Sequence, residues 1–466
     1  MNIPTIDGLS AQEQTLYSAM VNNWSRNLGK NGERMAHYAG KVHVSRLDLG
    51  ISIPPPILKK LDRQSVMWSK KAVDALADCS AFDGFSFVGN APEGFDDAMQ
   101  AAQIGDLYDD AKTAELIHCC AAWTVTPGGE GERPVIVNVY DAEHSSWLWD
   151  YRNRRILAGI AIVDVDPKHP DRPTAVNMYL SDCTIECKLT DRGWKSNRID
   201  HSVGRPLMEP MRYNPSVGKP FGRSRITPAV MEIENDANRE VVKMIMHSEL
   251  YTAPTHWVMG APDDIFDNGR WQAYFGSIFA LPRDENFDAP ATGSYPVGDM
   301  SPHIALMRQF ANMLAAETSI PVHSLMYTEA NPASSEAIEA GEHDLIQKAQ
   351  DMNRRNGEAL RNVGLIACSL LVETPFDKLD ADILSLSVRW KNPKHTSLVS
   401  LADANCKLAT ISPEYAQTRV FWESNGFDDS TIDRIMADFN KTRGMNLLAS
   451  VEVTYDNDTE AVSDEV

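Results

Sequence analysis

Apolar residues recur at helical spacing along residues 10–40, and again over residues 57–76 (Leu61, Val66, Met67, Val73, Leu76) after a break at Pro54-Pro55-Pro56. Residues 93–117 predict a third helix, with Phe95, Met99, Ala102, Ile104 and Leu107 along its apolar side. Between residues 121 and 210 the period shortens. Runs rich in β-branched residues at 135–140, 156–163, 175–180 and 184–189, divided by Pro, Gly and Asp, predict strands. The first 222 residues therefore predict an α+β domain built on an antiparallel sheet.

The second half returns to helical spacing. A turn at Asn214-Pro215 and a basic Gly/Pro loop lead into a long helix, 227–250, with Pro228 suited to its first turn. Val230, Met231, Ile233, Val241, Val242, Met244 and Ile245 give it apolar positions, too irregular for a sustained heptad. Glu232, Asp236 and Glu240 follow at i, i+4 and i+8 and share one face. Residues 251–300, rich in Pro, Gly, Asp and aromatics, predict a small β or irregular insert. A helix over 302–320 shows Leu306, Phe310, Met313 and Leu314 on its apolar side and stops before Pro321. After a loop, 321–334, comes a very long helix, 335–372, which Ser334 or Ser335 can cap, with Glu336 near the positive end of its dipole. A strand at 384–390 and helices at 396–408, 413–425 and 431–441 complete the pattern. After Arg443 there are six carboxylates and no Lys or Arg, a composition expected to stay disordered.

Composition narrows the class. At 466 residues, with 43% hydrophobic and 23% charged residues, the chain predicts a globular protein of about three domains. The longest apolar stretch, 365–372, is too short to cross a bilayer, and the polar start predicts no signal peptide. The expectation is a soluble intracellular product. A net charge of −21 argues against tight non-specific binding of nucleic acid, which needs Lys and Arg to neutralise phosphates. It leaves open DNA that passes without sticking. Seven cysteines, including the adjacent Cys119-Cys120, predict buried thiols in a reducing compartment.

No catalytic, cofactor-binding or metal-binding set is expected. His118-Cys119-Cys120 and the Cys183/Cys187 pair lack zinc-ligand spacing, and Gly341-Glu342-His343-Asp344 lacks the second His of a zincin helix. Gly222-Arg223-Ser224-Arg225-Ile226 lacks the second Gly of a nucleophile elbow. The loop Gly218-Lys219-Pro220-Phe221-Gly222-Arg223-Ser224 has the ingredients of an anion site ahead of a helix, but not the Walker order. A plain connecting loop is the favoured reading, with an intracellular enzyme holding a phosphorylated ligand there as the alternative.

One ordered set carries a resemblance over residues 10–445. Tyr213-Asn214-Pro215 is followed by Gly222-Arg223-Ser224 and a helix carrying Asn235 and Asn238. Ser334-Ser335-Glu336-Ala337-Ile338 then opens the longest helix, and Val388-Arg389-Trp390, Ser412-Pro413-Glu414 and Gly426-Phe427 close the series. In this order the chain resembles the portal (head-to-tail connector) proteins of tailed bacteriophages, in their siphophage-type branch. The resemblance implies a portal fold: an α/β wing at 1–222 and 335–395, and a two-helix stem at 223–250 and 301–320. A small β clip at 251–300, a tunnel loop at 321–334, a helical crown at 396–446 and the acidic tail at 447–466 complete it. It further implies a non-enzymatic homo-oligomeric ring, usually of twelve, at one capsid vertex of the virion and in the host cytoplasm during assembly. Expected partners are the packaging terminase, the major capsid and scaffolding proteins, a head-tail adaptor and double-stranded DNA without sequence specificity; no membrane is involved. Another phage head-tail structural protein is the nearest alternative. Twelve copies at −21 each would carry −252. Glu232, Asp236 and Glu240 are expected to face the channel, and Met326, Tyr327, Glu329 and Asn331 to act from the tunnel loop by steric contact.

Overall fold

The computed structural model describes residues 5–42, 65–129, 131–252, 256–259, 291–294, 299–325, 335–393, 398–427 and 430–442. It divides into two units, residues 1–393 and residues 394–466. Helices pack on antiparallel sheets, so the α+β expectation holds.

The first helix, α1 (Ala11–Tyr38), starts at a capping box in which Ser10 and Glu13 satisfy each other's backbone N–H. Tyr17, Met20, Val21 and Trp24, spaced i, i+3, i+4 and i+7, are buried on it. They lie against Ile160, Ile162, Val176, Met178 and Ile185 of a five-stranded sheet. That sheet is an antiparallel meander in sequence order: β4 (Ser145–Asp150), β5 (Arg155–Asp166), β6 (His169–Tyr179), β7 (Cys183–Thr190) and β8 (Gly193–Asp200). A three-stranded sheet runs β3 (Val135–Asp141), β2 (Cys120–Pro127) and β9 (Met208–Arg212). The largest core joins this sheet to Ile156, Ala161 and Tyr179 of the meander and to Leu360, Val363, Ile366 and Ala367 of α7 (Ser335–Leu371).

Several boundaries differ from the sequence reading. The helix expected over 57–76 is seen as α2 (Trp68–Ala77), its earlier residues 57–64 lying outside the described chain. Val66 and Met67 are not helical: Met67 has φ +53°, and the Val66 N–H donates to Asn238 Oδ1 at 2.9 Å. The helix expected over 93–117 is two, α3 (Phe95–Ala101) and α4 (Ile104–His118), separated where Gln103 takes a left-handed backbone. Strand β12 (Ser387–Trp390) begins later than expected, because a short helix, α8 (Ala381–Leu384), precedes it. It pairs with β1 (Phe82–Ser86).

Between the sheets and α7 the chain makes α5 (Pro228–Thr252), the antiparallel pair β10 (His256–Met259) and β11 (Ala291–Ser294), and α6 (Ser301–Thr318). In the second unit α9 (Leu398–Ile411) is followed by a 3-10 turn (Tyr415–Gln417), α10 (Arg419–Ser424) and α11 (430–442). The single helix expected over 413–425 is thus interrupted, and Thr418 caps α10. There Phe421, Trp422, Phe427 and Phe439 stack edge-to-face or tilted at centroid spacings of 5.2–6.3 Å.

Of the seven cysteines, Cys120, Cys183, Cys187 and Cys368 are buried as expected, while Cys79 and Cys119 are half-buried and Cys406 is exposed. Among the described residues no helix is long and apolar enough to cross a membrane.

Candidate functional site

Helices α5 and α6 form an antiparallel hairpin whose base is fixed to the rest of the first unit. Thr227 opens α5, accepting from the Val230 N–H at 3.2 Å and donating to Glu317 Oε1 near the end of α6 at 3.0 Å. Val230, Ile233 and Ala237 meet Met307, Ala311, Leu314 and Ala315, together with Trp68 and Ala72 of α2. The alanines let the two backbones approach.

Buried charge fastens this base. Glu234 has no exposed surface; its carboxylate accepts from Ser69 Oγ and Ser65 Oγ and pairs with His37 Nδ1 at 3.1 Å. One side chain thereby ties α5 to α1, to α2 and to the segment before α2. Arg225 is buried as well. It donates to the carbonyls of Ala72 and Thr318 and to Tyr213 Oη. From the sequence Glu234 reads as one acid of a solvated face and Arg225 as part of a loop lacking the elbow pattern; the structure buries both, and for Glu234 a signal existed. Positions 230, 233, 234, 237, 238 and 241 form one i, i+3, i+4, i+7 stripe, and Glu234 and Asn238 sit inside it.

The loop that reads as an anion site is largely a structural tie. Ser224 Oγ donates to the Ile117 carbonyl at 2.5 Å and accepts from the Ile226 N–H at 2.9 Å, so it is not a free nucleophile. Gly222 has φ +89°, and a Cβ there would stand 2.3 Å from the Tyr213 carbonyl oxygen, which leaves room only for glycine. Arg212, Arg223, Arg225, Lys348 and Arg355 do border a cavity of about 390 Å3 at the hairpin base, with Glu317 and Asp351 also on its wall. Burial, and then Arg225, lowers the Lys348 pKa.

The expected acidic face is not uniform. Glu232 is exposed and Asp236 half-buried, and both face Arg239, whose Nη1 lies 3.6 Å from Glu232 and 2.5 Å from Asp236. Glu240 departs from the expectation of one open face: only 4% exposed, it turns toward α6, where it meets His303 Nδ1, with Lys243 Nζ at 3.8 Å. The i, i+4, i+8 row winds off the outer surface, because 3.6 residues per turn carry every fourth residue about 40° further round the helix. Helix α6 splits its apolar residues too. Leu314 is buried against α5 and Phe310 is half-buried, whereas Ile304, Leu306 and Met313 are 41–45% exposed. The tunnel-loop residues Met326, Tyr327, Glu329 and Asn331 lie outside the described residues, as does Ser334. On α7, His343 and Asp344 are exposed surface residues.

Residues 20–442 match the family model described as "Phage portal protein, SPP1 Gp6-like". The portal protein of Mycobacterium phage L5 is 24% identical over 376 residues, covering 77% of this chain and 75% of its own. That of Mycobacterium phage D29 is 26% identical over 378 residues, with the same coverage. Among solved structures, a chain of the virion of a native gene transfer agent particle aligns with a TM-score of 0.42 at 12% identity, covering 81% of this chain and 95% of that one. A chain from the neck of that particle, computed with C12 symmetry, gives 0.41 at 10% identity, covering 78% and 90%. The match across residues 20–442 places this chain in the phage portal protein family.

Proposed function

We propose that the chain assembles into a closed ring of twelve at one capsid vertex, through which the genome is packaged and ejected. The packaging terminase, capsid and scaffolding proteins and a head-tail adaptor dock around it. In this reading residues 1–222 and 335–395 are the wing, 223–250 and 301–320 the stem, 251–300 the clip, 321–334 the tunnel loop and 396–446 the crown.

The observation that carries the reading, beside family membership, is the uncovered side of the hairpin. Leu306 and Met313, seven residues apart, present apolar side chains to solvent on one side of a helix whose other side is already packed. Apolar side chains left open side by side on a packed helix fit a contact with another chain. A head-to-tail contact between identical copies closes into a ring when its rotation closes. Of the row Glu232, Asp236 and Glu240, the first two are left for the channel wall, where negative side chains keep a polyanion from adhering.

Particle mass and shape test the ring directly. Twelve copies of a 51.7 kDa chain amount to about 620 kDa, and negative-stain images should show annuli with a central hole. A protein that stays monomeric at micromolar concentration and in the presence of scaffolding protein would refute it.

A further inference from the structure

A cavity of about 290 Å3 lies between α1, the C-terminus of α4 and the β3–β4 turn. His118, the last residue of α4, lines it with no exposed surface, and neither ring nitrogen has a hydrogen-bond partner. Leaving both polar atoms of a buried imidazole unsatisfied costs free energy unless something in the cavity meets them. The described lining of the cavity itself carries no carboxylate, but two stand close to the imidazole. One ligand atom each of His118, Asp141 and Glu143 lies within 4.8 Å of the other two. Among the described residues the Glu143 carboxylate has neither a hydrogen-bond nor an ion-pair partner. Asp141 Oδ1 is occupied, accepting from the backbone N–H groups of Glu143 and His144 and meeting His144 Nδ1 at 2.7 Å, which leaves Oδ2 open.

A water could satisfy the imidazole but would not relieve two carboxylates converging on one point. A cation does both. We propose that His118, Asp141 and Glu143 form a site for a divalent first-row transition metal of the Zn2+ or Mn2+ kind. One imidazole nitrogen and two carboxylate oxygens hold it, and water completes the shell. The imidazole favours such metals over Mg2+ or Ca2+, which take oxygen ligands. Ligand atoms about 2.1 Å from a metal stand at most about 4.2 Å apart, so small side-chain rotations close the set. The cationic neighbours are His144, paired with Asp141 Oδ1 at 2.7 Å, Arg34, which donates to the His118 carbonyl at 2.9 Å, and Lys30 on the cavity wall. These positive groups offset part of the attraction of the two carboxylates for a divalent ion, which favours modest affinity over a permanently filled site.

The metal would act as a clamp. Helix α1 docks on the same turn through Trp24 Nε1, which donates to the Glu143 carbonyl, and Asn31 Nδ2, which donates to the Ala142 carbonyl at 3.0 Å. Joining the end of α4 to residues 141 and 143 fixes the surface on which α1 rests.

Cobalt binding to the chelator-stripped full-length protein tests the site, because Co2+ reports its ligands by visible absorption and Zn2+ displaces it. The expected result is one Co2+ per chain with a visible band shifted and strengthened relative to aqueous Co2+, and a melting temperature that rises with metal concentration. Glu143→Gln should weaken binding at least about tenfold without lowering the metal-free melting temperature. His118→Asn should abolish the band; if that variant does not fold, Glu143→Gln decides alone. Equal binding by the wild type and Glu143→Gln, or Co2+ held without a band, would mean surface carboxylates only and overturn the site.

Discussion

Glu115, on α4, has no exposed surface; one carboxylate oxygen accepts from Asn356 Nδ2 at 2.6 Å and the other has no partner. Burial pushes its pKa up to about 8, while the Asn356 hydrogen bond pulls it down less and Cys119 adds a smaller upward push. A carboxyl whose folded pKa exceeds its unfolded value takes up a proton on folding. Its stabilising share is complete below the unfolded value of 4.5 and is lost as pH rises toward about 8. Glu115→Gln, which cannot ionise, should therefore gain stability over the wild type as pH rises from about 5 to about 9, by up to about 4 kcal/mol. Paired thermal melts across that range check it, and parallel curves would rule it out. Such a residue is hard to read from sequence. Glu115 looks like one more acid on an amphipathic helix, and only the packing of Asn356, 241 residues away in the chain, makes it interior. Glu234 is different, since its place in the apolar stripe of α5 was legible once the helical face was counted residue by residue.

Elements were legible in proportion to how local their signals are. The capping box at Ser10 and the regular spacing of Tyr17, Met20 and Trp24 announce α1. Strand β2 was passed over because its first six residues, Cys-Ala-Ala-Trp-Thr-Val, are all buried, so it shows no alternation. Strand β8, largely exposed, lacks an apolar face for the opposite reason. The pairing of β1 with β12 joins residues about 300 apart, for which local pattern holds no information. The apolar side of α6 was read correctly as residues but not as surfaces. Leu306 and Met313 lie on the open side while Leu314 packs on α5, a sign that the helix serves two contacts. Leu306→Glu combined with Met313→Glu should therefore keep the fold and lose the ring. Substituting exposed positions usually changes stability by no more than about 0.5 kcal/mol. Charges placed at a packed interface between chains must instead be desolvated. Circular dichroism should match the wild type while light scattering gives the 51.7 kDa monomer. Intact rings from this double variant would exclude α6 as the contact.

At the scale of the whole molecule the order of elements was the most legible feature, because helical and strand periods alternate along the chain in the order the structure shows. What it could not convey is which acids share an open surface, and that decides the electrostatics of a channel. A chain of −21 contributes repulsion only through charges that DNA meets without intervening counter-ions. Glu240 is spent on His303, whereas Glu232 and Asp236 share the single cation Arg239, leaving one net negative charge per hairpin at this point. Changing both to Lys would turn that −1 into +3, and in a ring of twelve the local sum would pass from −12 to +36. Each lysine can then neutralise a phosphate and release its counter-ion, so a sliding duplex meets attraction at every subunit. Glu232→Lys with Asp236→Lys should assemble rings of normal mass yet package DNA more slowly, with the defect easing as salt is raised from about 50 to about 200 mM. Neutral Gln and Asn at the same positions should have a smaller effect. Normal packaging rates in the lysine variant would remove these residues from the channel wall, and a defect unchanged by salt would assign them to a packing role instead.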